Sequence, residues 1–543
     1  MMSKFVMLFS MMFLFSSIFM LLNNSLFIFT IPIIKINNYM MSADIMLDWL
    51  STMFLSTVLF ISSLILLFSI YYINKKEQYK FMLMMLLFIL SMTILILSNN
   101  MFLLLLGWDG LGLSSYVLVI YYQNFSSAGS GSITLITNRI GDIMILMSMG
   151  MMMILMNWSY IMKPEFTKIS LFLILMAACS KSAQFPFSAW LPMAMAAPTP
   201  ISALVHSSTL VTAGVFLSLR VMLYHNSMSF LIMMISSTTA IYASLTACWE
   251  HDMKKIIAYS TLSQIAMMMF AISVNAHMLA FIHLIIHALF KSTMFLCAGT
   301  MIHESMYQDM RMMGMNMNYL MIPSSTLSIT AMALMGAPFM SGFFSKDYII
   351  ENLISMTMES FLTILMILSI GMTASYSIRM ISISNKWNMK SYPNLSNHLN
   401  FPSILPMIIM SPLAISSGSI LSWLLIPNQI FMMNNFMKIY IIMILLLGML
   451  MGFILMNKSY FISKLGMSSI SIWFLHILSV ILKKTMSNPM KTYLKNDKQW
   501  QENYGPQKMF YLNMISSNIL LMKKSTMMLL TMMITLIPIT MML

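Results

Sequence analysis

Stretches of about 20 apolar residues, each long enough to cross a bilayer, recur along the whole chain. They run at roughly 5–22, 48–73, 80–98, 100–122, 133–156, 168–191, 201–223, 229–249, 254–275, 278–300, 320–350, 361–383, 403–425, 437–456 and 524–543, about fifteen segments in all. The stretch 24–36 is too short and too polar for a further span. A soluble chain of 543 residues would expose far more charge than the 8% present here, and 59% of the residues are hydrophobic. In lipid every backbone polar group needs an internal partner, so such segments form helices. The expected fold class is therefore an all-α polytopic membrane protein.

One stretch breaks the pattern: CSKSAQFPFSAWLPMAMAAPTPISALVHSST, residues 179–209. Pro186, Pro192, Pro198 and Pro200 each remove a backbone donor and clash with the preceding turn, so no unbroken helix runs through them. Irregular backbone at membrane depth persists only where protein or a water-filled cavity surrounds it. Lys181 lies at the start of this break, and His206 in the first two turns of the next apolar segment. A cation beside a broken helix in lipid marks a transport path, and we read Lys181 as a proton carrier. A second interruption, MGAPFMSGFFS, comes just before Lys346 and Asp347 and predicts internally repeated halves.

Few other ionisable residues fall inside apolar segments. Each costs about 2.5–3.5 kcal/mol at the bilayer centre, so each should face protein or water. Asp109 stands among Gly107, Gly110 and Gly112, small residues that let a helix approach closely, and its expected partner is Lys181. Changing the separation of that pair would load and unload a proton. A shift of two pK units is about 2.7 kcal/mol, and moving one charge through 100 mV costs about 2.3 kcal/mol. The plainer reading is a static ion pair. Arg139 and Asp142, at i and i+3, are spaced to pair with each other. His283, His287 and Lys291 recur every four residues and share one helical face, a titratable stripe suited to relaying protons near neutral pH. Zinc binding there would need a third ligand and the glutamate of an HExxH pattern.

The formal charge of +14 is largely local: ten lysines lie between Lys458 and Lys524, against Asp497 and Glu502. That excess suits anionic lipid headgroups or an acidic partner, and not nucleic acid, since no soluble domain presents it. Residues 457–523 mix apolar with basic residues and read as an interfacial amphipathic helix, re-anchored by the apolar run from Thr526 to Leu543. Cys179, Cys248 and Cys297 fit neither a disulfide framework nor a metal cage and read as small buried hydrophobes. The 74 methionines are spread along the whole chain rather than gathered on one copper-binding segment. A mitochondrial code reading AUA as Met, in an AT-rich genome, produces such a pattern. No cleavable signal or Arg-rich transit peptide is evident, which fits a product made inside the organelle.

LGWDGLGLSSY, NRIGDI, KSAQFPFSAWLPMAMAAPTPISALVHSSTLVTAG, DMKKIIAYSTLSQ, HLIIHALFKSTMFLCAG and SGFFSKD together resemble the chain 5 family of mitochondrial NADH-ubiquinone oxidoreductases, the antiporter-like membrane subunits of respiratory complex I. The resemblance is strongest over residues 80–383. It implies about 15–16 transmembrane helices, two inverted five-helix repeats with broken helices, a C-terminal lateral amphipathic helix and a final anchor. By position, Asp109 matches an acid on the fifth helix, usually Glu, paired with the lysine matched by Lys181. His206 matches a bridging histidine, Lys254 a lysine at the relay's edge, and His283, His287 and Lys291 the connecting relay. Lys346, with Asp347 beside it, matches the outlet lysine. Asp for Glu shortens the acid at position 109 by one methylene, and Ala196–Ala197 stand where many relatives carry an acid and a glycine.

The implied division is 1–79 as N-terminal helices, 80–223 and 224–383 as the two repeats, 384–456 as further helices, 457–523 as the lateral helix and 524–543 as the anchor. The expected function is proton translocation across the inner mitochondrial membrane, driven by electron transfer elsewhere in the complex. NADH, FMN, iron–sulfur clusters and ubiquinone are expected in other subunits, since this chain carries no cysteine cluster and no dinucleotide fold. Expected partners are membrane-arm subunits, including antiporter-like neighbours met by the lateral helix, and phospholipids such as cardiolipin. The alternatives are a subunit of a multi-subunit sodium/proton antiporter and a mainly structural membrane anchor.

Overall fold

The computed structural model describes residues 2–36, 39–154, 167–225, 227–313, 320–355, 360–385, 401–426, 435–456, 489–501 and 503–520, with isolated positions between 464 and 487. Helix α1 spans Met2–Asn23 and presents Ser3, Ser10 and Ser17, one every seven residues, as a buried stripe. Small residues at that spacing let α1 lie close along α2, Trp49–Tyr72. Between them β1, Phe27–Ile36, pairs antiparallel with β2, Tyr39–Leu47. This hairpin adds a small sheet to the all-α expectation. The FIFTIPIIKI run of β-branched and aromatic residues favours extended backbone, and Pro32 sits at a register shift, where a strand tolerates it.

Helices α3 (Gln78–Leu97), α4 (Met101–Val119) and α5 (Phe125–Ile154) follow, then α6 (Lys168–Lys181), capped at its start by the Thr167 hydroxyl accepting from the Ser170 amide. A short α7 (Phe187–Ala196) and the break lead into α8 (Thr199–Met222), which holds a π-helical stretch at Ser202–Thr209. Then come α9 (Ser229–Trp249), α10 (Met253–Ser273), α11 (His277–Ser305), α12 (Met321–Met335), α13 (Ser341–Ser355), α14 (Ser360–Ser384), α15 (Phe401–Leu425) and α16 (Asn435–Ile454).

Helices α8, α10 and α11 are buried along their whole apolar length, whereas α1 is mostly exposed. His206, Lys254, His283, His287 and Lys291 therefore lie on the innermost helices, whereas Asp109, Arg139, Asp142, Lys181, Lys346 and Asp347 lie on the helices around them.

Among the described residues ten helices are long and apolar enough to cross a membrane, with shorter apolar helices at Phe187–Ala196, Met321–Met335 and Ile439–Ile454. Five of the expected segments fall outside those ten: 133–156, whose described part lies in α5 with Arg139 and Asp142, 437–456, whose apolar part is the shorter Ile439–Ile454, and three more. The run 168–191 stops being helical after Lys181, and the run 320–350 divides into α12 and α13. The expected anchor at 524–543 lies outside the described residues.

The chain separates into two compact units, Met1–Ile470 and Ser471–Leu543. Of the second, Lys508–Leu520 forms helix α17 after π-helical turns at Asn496–Gln501 and Asn503–Gln507, and Tyr493, Trp500 and Phe510 are exposed. Most of the expected lateral helix between 457 and 488 lies outside the described residues.

Candidate functional site

Lys181 is the last residue of α6 and fully buried. Its Nζ donates to the carbonyl oxygen of Trp108 at 2.7 Å and stands 4.0 Å above the centroid of the same indole. The end of α6 is satisfied from outside the helix, as Trp190 Nε1 donates to the Ser180 carbonyl at 3.0 Å. Gly214 of α8 comes so close to this end that a Cβ there would meet Ser182 N at 2.9 Å. The start of the break, Lys181 to Gln184, is thus buried in protein, while Phe185, Pro186 and Met193 beyond it are exposed.

The expected contact between Asp109 and Lys181 is replaced by another arrangement. The Asp109 carboxylate pairs with Arg139 at 3.6 Å, and the same guanidinium reaches Asp142 at 3.2 Å. Lys181 holds the backbone one residue before Asp109 instead. The reason is geometric: Asp109 is a third exposed on α4, while Trp108 faces inward at 0% exposure. Asp142, and after it Asp109, supply the negative charge that Lys181 feels.

His206 lies within the π-helical stretch of α8, where widened turns recur at functional positions. Ser208 and Thr209 return their hydroxyls to the Leu204 carbonyl, at 3.1 and 2.7 Å. Neither ring nitrogen of His206 has a hydrogen-bond partner among the described residues, and its ring lies 6.1 Å from that of Trp190. Lys254, in the first turn of α10, donates to the Ala197 carbonyl at 3.1 Å, so the far end of the broken segment is also held by a buried lysine.

Helix α11 places His283, His287 and Lys291 on one buried face, with the two imidazoles 6.4 Å apart. His283 Nδ1 meets Ser345 Oγ at 2.8 Å, and Lys291 Nζ donates to Ser260 Oγ at 2.5 Å. Both nitrogens of His287 and Nε2 of His283 lack partners among the described residues. Lys346, in the second turn of α13, donates to the Leu334 carbonyl. Lys346 acts electrostatically on His283, His287 and Lys291. Asp347 and Glu351 follow Lys346 on the same helix, one turn apart, and influence each other. Lys181 ends the helix before its break, whereas Lys346 opens the helix after its own, so the two lysines approach their breaks from opposite directions.

Several groups escaped the sequence reading. Arg220 forms a bidentate pair with Asp48, tying α8 to the foot of the β hairpin, with Nη2 to Oδ1 at 2.6 Å. Arg379 of α14 donates to the carbonyls of Cys248 and Glu250. Tyr71 donates to Glu304 at 2.6 Å. Arg220 and Arg379 lie in apolar segments, so the cost argument that found Lys181 applies equally to them. Ser260 and Ser345 carried no signal.

Residues 98–373 match the family described as NADH:quinone oxidoreductase/Mrp antiporter, TM. Residues 33–82 match the complex I chain 5 N-terminus, and residues 376–543 the NADH dehydrogenase subunit 5 C-terminus. The chain is 38% identical to the NADH-ubiquinone oxidoreductase chain 5 of Aedes aegypti, over 88% of this chain and 86% of that one. Against that of Locusta migratoria it is 40% identical over 88% and 87%. Against that of Lumbricus terrestris it is 38% identical over 93% and 91%. A solved Mrp complex from Dietzia sp. DQ12-45-1b shares the fold, with a TM-score of 0.73 at 22% identity, over 91% of this chain and 57% of that one.

Proposed function

The chain belongs to the chain 5 family of NADH-ubiquinone oxidoreductases, and from that premise we propose that Lys181, His206, Lys254, His283, His287, Lys291 and Lys346 pass protons from helix to helix midway through the membrane. The protein is a proton-translocating membrane subunit of the H+-translocating NADH:ubiquinone reductase. In this reading electron transfer takes place in other subunits of the complex.

The observation that carries the relay is the kind of oxygen each lysine meets. Lys181, Lys254 and Lys346 donate to backbone carbonyls, and Lys291 to a hydroxyl. None of the four is in an ion pair among the described residues. A carbonyl accepts an N–H from an ammonium and from a neutral amine alike, so the side chain keeps its place when its proton leaves. A carboxylate partner would instead favour one protonation state. Both nitrogens of His287 and Nε2 of His283 have no protein partner among the described residues, and imidazoles 6.4 Å apart would pass a proton through a bridging water. Acids stand at both ends, Asp109 and Asp142 with Arg139 near Lys181, and Asp347 with Glu351 near Lys346.

Residues 80–223 and 224–383 are the two inverted repeats in this reading, flanked by 1–79, 384–456, the lateral helix 457–523 and the anchor 524–543. The lateral helix meets neighbouring antiporter-like subunits and phospholipids such as cardiolipin, in the inner mitochondrial membrane. Proton pumping per NADH oxidised, in inner membranes carrying Lys181→Met and with assembly checked on a native gel, tests the relay. An assembled complex that has lost pumping supports it, and one that pumps normally removes Lys181 from the path.

A further inference from the structure

The connection between α9 and α10 carries a half-buried histidine, His251, that the proton relay does not use. Two hydrogen bonds meet at His251 itself, and further ones hold its neighbours Glu250, Asp252 and Met253. Arg379 of α14 donates through Nη1 to the Glu250 carbonyl at 2.8 Å and through Nη2 to His251 Nδ1 at 2.8 Å. The His251 carbonyl accepts from the Met310 amide at 3.1 Å, and the Met253 amide donates to the Gln308 carbonyl at 3.0 Å. Asp252 and Asp309 are bridged through their backbones. This clasp therefore joins α14, the segment after α11 and the first residue of α10. The next residue is Lys254, whose Nζ reaches Ala197 in the broken segment.

A guanidinium has donors only, so the His251 Nδ1 it touches must be an unprotonated acceptor. Adding a proton there turns the contact into two cations, both donors. We propose that His251 is a proton-operated positioning residue: neutral, it locks the start of α10 and with it Lys254 onto Ala197; protonated, it releases them.

The charges facing His251 favour the neutral form. Burial and the guanidiniums of Arg379 and Arg311 hold its imidazole below the usual range of 6.5, against the opposing pull of Asp309 and Asp252. Asp309 is occupied by Arg311 at 2.6 Å and Asp252 by Lys255 at 2.8 Å, which blunts that pull. Because the folded value is lowered, the clasp is complete above pH 6.5 and opens as pH falls through the folded value. Its link to proton transfer rests on the relay through Lys254, but the clasp itself is measurable without turnover.

The test is hydrogen–deuterium exchange of the segments bearing Met253 and Met310 in the intact complex, from about pH 8 to about pH 5.5, corrected for intrinsic exchange. His251→Asn, whose amide oxygen accepts from Arg379 at every pH, is the comparison. Protection in the unmodified complex is expected to fall roughly tenfold on acidification, the scale of a hydrogen bond to a charged group, and to stay flat in His251→Asn. Pumping per NADH should decline over the same range only in the unmodified complex. Flat protection in the unmodified complex overturns the proposal, a reading that needs no variant to assemble. An equal decline in His251→Asn overturns it as well. Opening of the clasp with unchanged pumping would leave the clasp standing and sink its link to Lys254.

Discussion

Lys181 donates to the backbone carbonyl of Trp108, 2.7 Å away, and not to the neighbouring Asp109 carboxylate. Asp109 instead shares Arg139 with Asp142, and of the two acids Asp142 is the less exposed, 8% against 33% at the side chain. Charges act more strongly where water does not screen them. Asp142→Asn is therefore expected to lower coupled turnover about tenfold, the effect of roughly 1.4 kcal/mol on a barrier, and Asp109→Asn distinctly less. NADH-driven pumping in membranes carrying each variant decides the order. The reverse ranking would restore Asp109 as the main counter-charge.

Arg220 and Asp48 tie α8 to the capping residue of α2, both nearly out of solvent. Removing one member strands the other charge, at about 3–5 kcal/mol. Asp48→Asn should reduce the amount of assembled complex and its melting temperature, and Asp48→Leu combined with Arg220→Met should recover part of the loss. Burial pushes the Asp48 carboxyl up, yet Arg220 and Ser51 outweigh it and hold it below 3.8. The pair's contribution is thus whole above that value and lost as pH falls below it. Melting curves of the unmodified complex should steepen their decline in acid, and those of the double variant should not.

The membrane class and the helical breaks were legible because they follow from two strong rules, the insertion cost of charge and the incompatibility of proline with helix interiors. Lys181 and Lys346 announce themselves on both counts. What the letters withheld was direction. Trp108 and Asp109 are adjacent, and no periodicity says which faces Lys181. The hairpin at 27–47 stayed hidden because strand pairing depends on a partner distant from any one window. Arg220 and Arg379 were available to the same cost argument, but their partners, Asp48 and a set of backbone carbonyls, lie far along the chain.

Ser260 supplies the oxygen that holds Lys291, at 2.5 Å. Ser260→Ala leaves a buried amine without its acceptor, which costs about 1–3 kcal/mol. Pumping per NADH should drop and its pH profile shift, while Ser260→Thr, which keeps the hydroxyl, should retain both. Equal behaviour of the two variants would make Ser260 a matter of space alone.

Gly336 ends α12 with φ +85, a conformation that L side chains rarely adopt. Its amide closes the helix onto the carbonyls of Met332 and Ala333, each at 3.2 Å. A Cβ at this position would stand 3.5 Å from Lys346 Cδ, on the lysine whose Nζ holds the Leu334 carbonyl. Gly336→Ala thus strains the backbone by about 1–2 kcal/mol just where the break aims Lys346. Gly112 is the control, because a Cβ there meets nothing within 4 Å. A helical Gly→Ala change adds roughly 0.5–1 kcal/mol of stability. Gly336→Ala is expected to depress both the melting temperature and the protons pumped per NADH, and Gly112→Ala to leave pumping intact. If the two variants pump alike, the turn at Gly336 does not set the position of Lys346, and the alignment must come from α15 and α11 packed against α13.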